Sequence, residues 1–303
     1  MCGGIICSFN INISNTMENR NDTTQRHDQI VQIMPNMPNI AKLDKDTYAQ
    51  MMGWKEFMDS GRTLDHVPYD PSWTVLFALL RKRNGYNQIY RTLSEEVKSH
   101  DRIYPKPEFL FSAFVLCPAT ALKVVIIGQD PYFNTEKDSA NVDVPQAYGL
   151  SFSVPNNFSI PSSLQNIYAN MLEFKHIDKM PKSGNLWFWA IQGCLMLNAA
   201  LTVKNGIKNS HAQMWKWMTD EIIKYISTYF QNIVFVLWGA DASKKIDLIN
   251  QDSHHIIMSS HPSGLSFSKP MGKHPAFRDF DHFGEINRIL KEHNKTPIMW
   301  KVT

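Results

Sequence analysis

Nowhere in this chain do apolar residues approach a run of 18, so no membrane-spanning helix is expected. The first residues also lack the basic start and apolar block of a secretory signal, and the expected compartment is a reducing one, nuclear or cytoplasmic. Cysteine is scarce: Cys2, Cys7, Cys117 and Cys194 are scattered, with neither metal-ligand spacing nor a disulfide framework. Cys117 and Cys194 sit in apolar stretches, where a small buried thiol is the usual occupant. An excess of one charge is missing too. Thirty-one Lys and Arg against 28 Asp and Glu leave only +3, so a polyanionic partner has to be met by a local basic face.

What is present suffices for a large core: 303 residues, 43% hydrophobic and 12% aromatic. Residues 1–45 are rich in Asn, Thr, Gln and Met with little apolar periodicity, and read as a disordered polar extension. Met-Cys-Gly-Gly at the start would expose Cys2 as an N-terminal nucleophile of the amidotransferase kind. The polar, irregular sequence that follows does not suit the β-rich domain such an enzyme needs. Residues 46–303 read as one domain. Up to about 118 the pattern is helical, with Trp73, Leu76, Phe77 and Leu80 spaced to share one face.

Four short apolar runs follow, Val124 to Ile127, Cys194 to Leu197, Ile233 to Leu237 and Ile256 to Met258, alternating with amphipathic helices. This alternation predicts an α/β fold with a central four-stranded, mostly parallel sheet flanked by helices on both faces. The clearest helix starts at Pro161-Ser162-Ser163 and carries Leu164, Ile167, Tyr168, Met171 and Leu172 as one stripe. Residues 134–145 are polar and aperiodic, and read as a surface insertion.

Ligands of open α/β sheets sit outside the carboxyl ends of the strands. Those ends here carry Asp130 and Tyr132, then Asn198, then Trp238-Gly239, then His261-Pro262-Ser263. Singly, each has a plain role: Asp130 as a turn former, Asn198 as a cap, His261 as a structural histidine, Phe152 as core. Their joint placement at strand tips is what the plain roles do not predict.

Gly128-Gln129-Asp130-Pro131-Tyr132, Gly149-Leu150-Ser151-Phe152-Ser153-Val154, Leu197-Asn198 and His261-Pro262-Ser263-Gly264-Leu265-Ser266 resemble, in order, the motifs of family 1 uracil-DNA glycosylases. The likeness runs from about Ser72 to the Pro297–Lys301 tail and takes in Ile103-Tyr104-Pro105 and Asn209-Ser210-His211. It implies an enzyme that hydrolyses the N-glycosidic bond of uracil in single- and double-stranded DNA, leaves an abasic site and free uracil, and has no lyase step. By the same resemblance Asp130 and His261 are catalytic, and Gln129, Tyr132, Phe152 and Asn198 bind the flipped base. Asn198 accepts from N3–H and donates to O4, Phe152 stacks, and Tyr132 blocks a C5 methyl. Ser163 with its Ile160–Ser163 loop, Gly239 and Ser263 grip phosphates, and Leu265 is the wedge that fills the vacated stack. Lys269, Lys273 and Arg278 supply the basic face. No metal or organic cofactor is implied, and a monomer is expected.

The chain departs from the family pattern at Phe133 and Tyr148, where histidines are usual, at Gly264, where Pro is common, and at Ala240, where Ser often stands. The expectation is an active enzyme slower than its relatives. Two further readings come from other classes: a non-catalytic DNA-binding scaffold, and a glycosylase of altered base range, against which Tyr132 argues for thymine.

Overall fold

The computed structural model describes residues 38–100 and 102–302, and the Cys2 reading lies outside them. Eight strands occur in it: β1 Ile103–Tyr104, β2 Val124–Gly128, β3 Thr135–Lys137, β4 Asp143–Pro145, β5 Cys194–Asn198, β6 Val203–Lys204, β7 Val234–Trp238 and β8 His255–Ser259. The central sheet has the order β5-β2-β7-β8, and all three pairings are parallel, so the expected "mostly" becomes "wholly". Every residue of β2, β5 and β7 is buried, as it must be in a parallel sheet covered by helices on both faces. Val, Ile and Leu at these positions gain about 1.5–3 kcal/mol each from leaving water.

The helical stretch before the sheet contains Thr74–Arg81 and Asn84–Lys98, and Trp73, Leu76, Phe77 and Leu80 are buried as their spacing predicts. Longer helices at Ser162–Glu173, Ala212–Tyr229 and His282–Glu292 return the chain across the sheet. Among the described residues no helix is long and apolar enough to cross a membrane.

Two expectations need correcting. The polar extension was drawn to residue 45, yet Ile40 and Leu43 are buried in the core and Asn156 N–H donates to the Leu43 carbonyl (2.8 Å). Two apolar side chains in a polar stretch give no periodicity, which is why the boundary falls late. The insertion at 134–145 is no irregular loop but an antiparallel hairpin, β3 with β4, with Val144 fully buried. Its hold comes from far along the chain. Glu136 pairs with Lys45 (2.6 Å) and accepts from Gln146 Nε2 and Ser159 N–H (both 3.0 Å), while Asp46 accepts from Ser139 N–H (2.9 Å).

Candidate active site

The parallel register sets Gly128 beside Asn198, Ile127 beside Leu237 and Trp238 beside Ser259. The chain therefore leaves all four strands along one edge, delivering Asp130, Asn198, Gly239 and His261 to the same end of the sheet. Asn198 is buried, and among the described residues its carboxamide has no hydrogen-bond partner. Its amide atoms are not among the buried unpartnered ones, so they open to solvent and to a ligand. The neighbouring strand makes room for it: a Cβ on Gly128 would lie 2.3 Å from Asn198 Oδ1.

Asp130 accepts from the Asn209 N–H at Oδ2 (2.7 Å). Burial raises its pKa above the usual carboxylate value, opposed by that N–H and by the nearby Lys208 cation. Lys208 acts on His261 as well. Burial first, then Lys208, push the His261 pKa down to about 4, against an opposing pull from Asp241. The ring is thus neutral at neutral pH. Ser263 closes on it twice, with Oγ 2.7 Å from Nδ1 and its N–H donating to Nδ1 at 3.1 Å. A backbone N–H can only donate, so Nδ1 is the acceptor and the ring proton sits on Nε2. Gly239, at φ +91°, lets this happen: a Cβ there would lie 2.8 Å from His261 Cβ.

Phe152 adopts φ +62°, the left-handed region that bulky residues avoid, and such backbone costs roughly 1–3 kcal/mol. Its ring packs edge-on to Trp238 (5.4 Å) and lies 5.9 Å from the His261 ring. The Tyr132 hydroxyl donates to the Phe152 carbonyl (3.1 Å), fixing the two aromatic residues to each other. The Gln129 carboxamide donates to Asp241 (2.7 Å), so its side chain is engaged there.

At the rim, Leu265 is 77% exposed on a turn opened by Gly264 at φ +47°. Ser163 is the second residue of the Ser162–Glu173 helix, which Pro161 caps. Lys269 and Lys273 are exposed with no carboxylate partner among the described residues, whereas Arg278 pairs with Asp279 (2.9 Å). Phe133 packs with Tyr104, Ala147 and Val203, and Tyr148 is wholly buried, bonding Ser153 Oγ (2.6 Å) and Asn185 Oδ1 (2.7 Å). The two residues in place of family histidines are therefore packing residues.

Several contributors have no mark in the strand-tip pattern. Ser260 pins the wedge turn, donating to Ser266 O (2.6 Å) and accepting from Phe277 N–H (2.9 Å). Asn166 ties the Ser162–Glu173 helix to the histidine loop by donating to Pro262 O (2.7 Å). Asn209 holds Asp130 through its main chain, to which its side-chain identity is no guide. Among the described residues no three His, Cys, Asp or Glu side chains group to hold a metal ion.

The model of the uracil DNA glycosylase superfamily matches residues 114–291, more than half of the chain and all four strand tips. The chain belongs to that superfamily. The probable uracil-DNA glycosylase of Acanthamoeba polyphaga mimivirus is 37% identical over 270 residues, 85% of this chain and 72% of that one. The uracil-DNA glycosylase of Helicobacter hepaticus is 39% identical over 239 residues, 78% and 97% of the two chains. The crystal structure of the mimivirus uracil-DNA glycosylase superposes with a TM-score of 0.80 at 36% identity, covering 86% of this chain and 98% of that one. Its Y322L variant, solved in complex with UGI, gives 0.81 at 37% identity, covering 87% and 100%. This chain is accordingly a uracil-DNA glycosylase, a DNA-repair hydrolase of N-glycosyl bonds acting on uracil-containing DNA.

Proposed function

We propose that the enzyme excises uracil from both single- and double-stranded DNA as a monomer, by water alone, and leaves the abasic strand uncut. Asn198 reads the flipped base: its carbonyl accepts from N3–H and its NH2 donates to O4, and cytosine, with the reverse pattern, leaves both buried groups unmatched. Phe152 stacks on the ring, worth about 1–3 kcal/mol for any base. Tyr132, fixed to Phe152, stands where a C5 methyl would go. Cleavage of N1–C1′ sends the bonding pair to uracil and leaves positive charge on the sugar. The Asp130 carboxylate stabilises that charge and orients the water whose oxygen bonds to C1′. His261 donates Nε2–H to uracil O2 and stabilises the departing anion. Each preorganised partner of this sort is worth about 10²–10³ in rate.

Ser163 and Gly239 bring main-chain and hydroxyl groups to phosphates, Leu265 enters the vacated stack, and Lys208, Lys269 and Lys273 add local positive charge. The observation that carries this reading is the Ser263 N–H on His261 Nδ1, which leaves a neutral donor, and not an acid, at the same end of the sheet as Asp130. The test is an oligonucleotide with one uracil, offered single-stranded and paired. Free uracil from both, and strand scission only after alkali, is the expected result. An intact oligonucleotide, or scission without alkali, overturns it.

A further inference from the structure

Asp130 owes its orientation to a main-chain donor on an exposed turn. Asn209, whose N–H reaches Oδ2 at 2.7 Å, sits at φ +59° at the end of Asn205-Gly206-Ile207-Lys208-Asn209, all solvent-facing. Main-chain bonds from Asn205 N–H to Arg102 O and from Gly206 N–H to Phe133 O (both 2.8 Å) fix the start of this turn. Its two feet are braced by side chains. At the first, Lys204 on β6 pairs with Ile103 on β1, its N–H donates to Ser210 Oγ (2.8 Å), and its Nζ lies 3.1 Å from Glu96 Oε1. At the second, His211 is 2% exposed. Its Nδ1 is 2.7 Å from Thr202 Oγ1, and its Nε2 is 2.9 Å from the other oxygen of the same carboxylate, Glu96 Oε2. Trp215 Nε1 donates to Thr202 Oγ1 (2.6 Å), so this foot is a packed cluster of Thr202, His211, Trp215 and the Glu96 carboxylate.

We propose that Glu96 is a positioning residue for catalysis: from the Asn84–Lys98 helix its carboxylate bridges both feet of the 204–211 turn and thereby holds the Asn209 N–H on Asp130. Glu96 lies outside every motif of the active site and touches no reacting atom. The proposal rests on the reading of Asp130 as the catalytic carboxylate. Among the described residues, Lys208, on the same turn, is the one cation acting on Asp130. The bracing carboxylate and Asp130 therefore meet only through this turn.

The experiment is a double-mutant cycle read by single-turnover uracil release across pH, with Glu96→Ala, Glu96→Gln and Asp130→Asn. Glu96→Ala is expected to lower the rate at saturating DNA about 10- to 100-fold, since a misplacement of about 1 Å is worth that much, with KM little changed. The acid limb of its profile moves to higher pH, because a carboxylate that loses a donated N–H is harder to ionise. Glu96→Gln, which keeps an acceptor for His211, recovers part of the rate. In the Asp130→Asn background Glu96→Ala adds nothing. An equal loss in both backgrounds, or an acid limb that stays in place, overturns the proposal and leaves Glu96 a packing residue. Should Glu96→Ala lack a cooperative melt, the Gln variant decides by the same two readouts. A wild type no faster than Asp130→Asn removes the reading of Asp130 itself, a distinct result.

Discussion

The two ends of the central sheet treat their polar side chains in opposite ways. At the amino end, Lys295 Nζ donates to the carbonyls of Gln231 (3.1 Å) and Asn232 (2.7 Å), and Lys123 Nζ donates to Thr296 O (3.2 Å). Burial pushes the Lys295 pKa down to about 8, and two of its three ammonium hydrogens are matched by protein carbonyls. At the carboxyl end, the Asn198 carboxamide has no protein partner among the described residues, and the Nε2 of His261 is left to donate outward. One end is closed on itself and the other is finished only by a ligand. Buried polarity alone does not mark a site; polar groups opening from the strand tips do.

The sharpest way to break this contrast is at Asp130. Asp130→Asn should cut single-turnover uracil release by at least about 10²–10³ with no loss of melting temperature. Gly128→Ala, which drives a methyl onto Asn198 Oδ1, is expected to cost about 10- to 100-fold, because the base-reading amide must turn away. Normal uracil release by purified Gly128→Ala would show that Asn198 is not the reader.

The pH profile adds a milder constraint. His261 is neutral above about 4 and Asp130 is a carboxylate above its raised pKa, so both productive states are lost in acid and neither is lost at alkaline pH. A rate that is flat through neutrality and falls toward pH 4 is expected; a maximum with an alkaline fall assigned to His261 by its absence in His261→Gln would contradict the neutral donor.

The amino end should behave in reverse. Lys295→Met leaves two carbonyls without their donor, so chemical denaturation should show a loss of about 1–3 kcal/mol while turnover per folded molecule is unchanged. The smallest expected effect is at the rim, where Lys273→Gln should flatten the salt dependence of DNA binding by about one unit of log–log slope and leave kcat alone.

The strands of the sheet were legible because parallel strands buried on both sides must be near-continuous apolar runs, as Val124–Ile127, Cys194–Leu197 and Val234–Trp238 are. Asp130, Asn198 and His261 followed from the strand-tip rule without a structure. The 134–145 hairpin was not legible, since Thr-Glu-Lys and Asp-Val-Pro carry little strand preference, and its stability comes from Lys45 and Asp46, some 90 residues away. Glu96 and Asn166 were invisible for a related reason: each acts through a contact that no local pattern encodes. Ser263 was read as a phosphate ligand, and its engagement with the imidazole becomes apparent only when the loop is closed.

Phe152 carries a last consequence. Relieving the left-handed backbone at residue 152 would return about 1–3 kcal/mol, but Phe152 is core, and losing its ring costs about 3–5 kcal/mol, so Phe152→Gly should melt earlier as well as release uracil more slowly. A screen for heat resistance alone would thus keep a ring at this position, whatever became of the base it is proposed to carry.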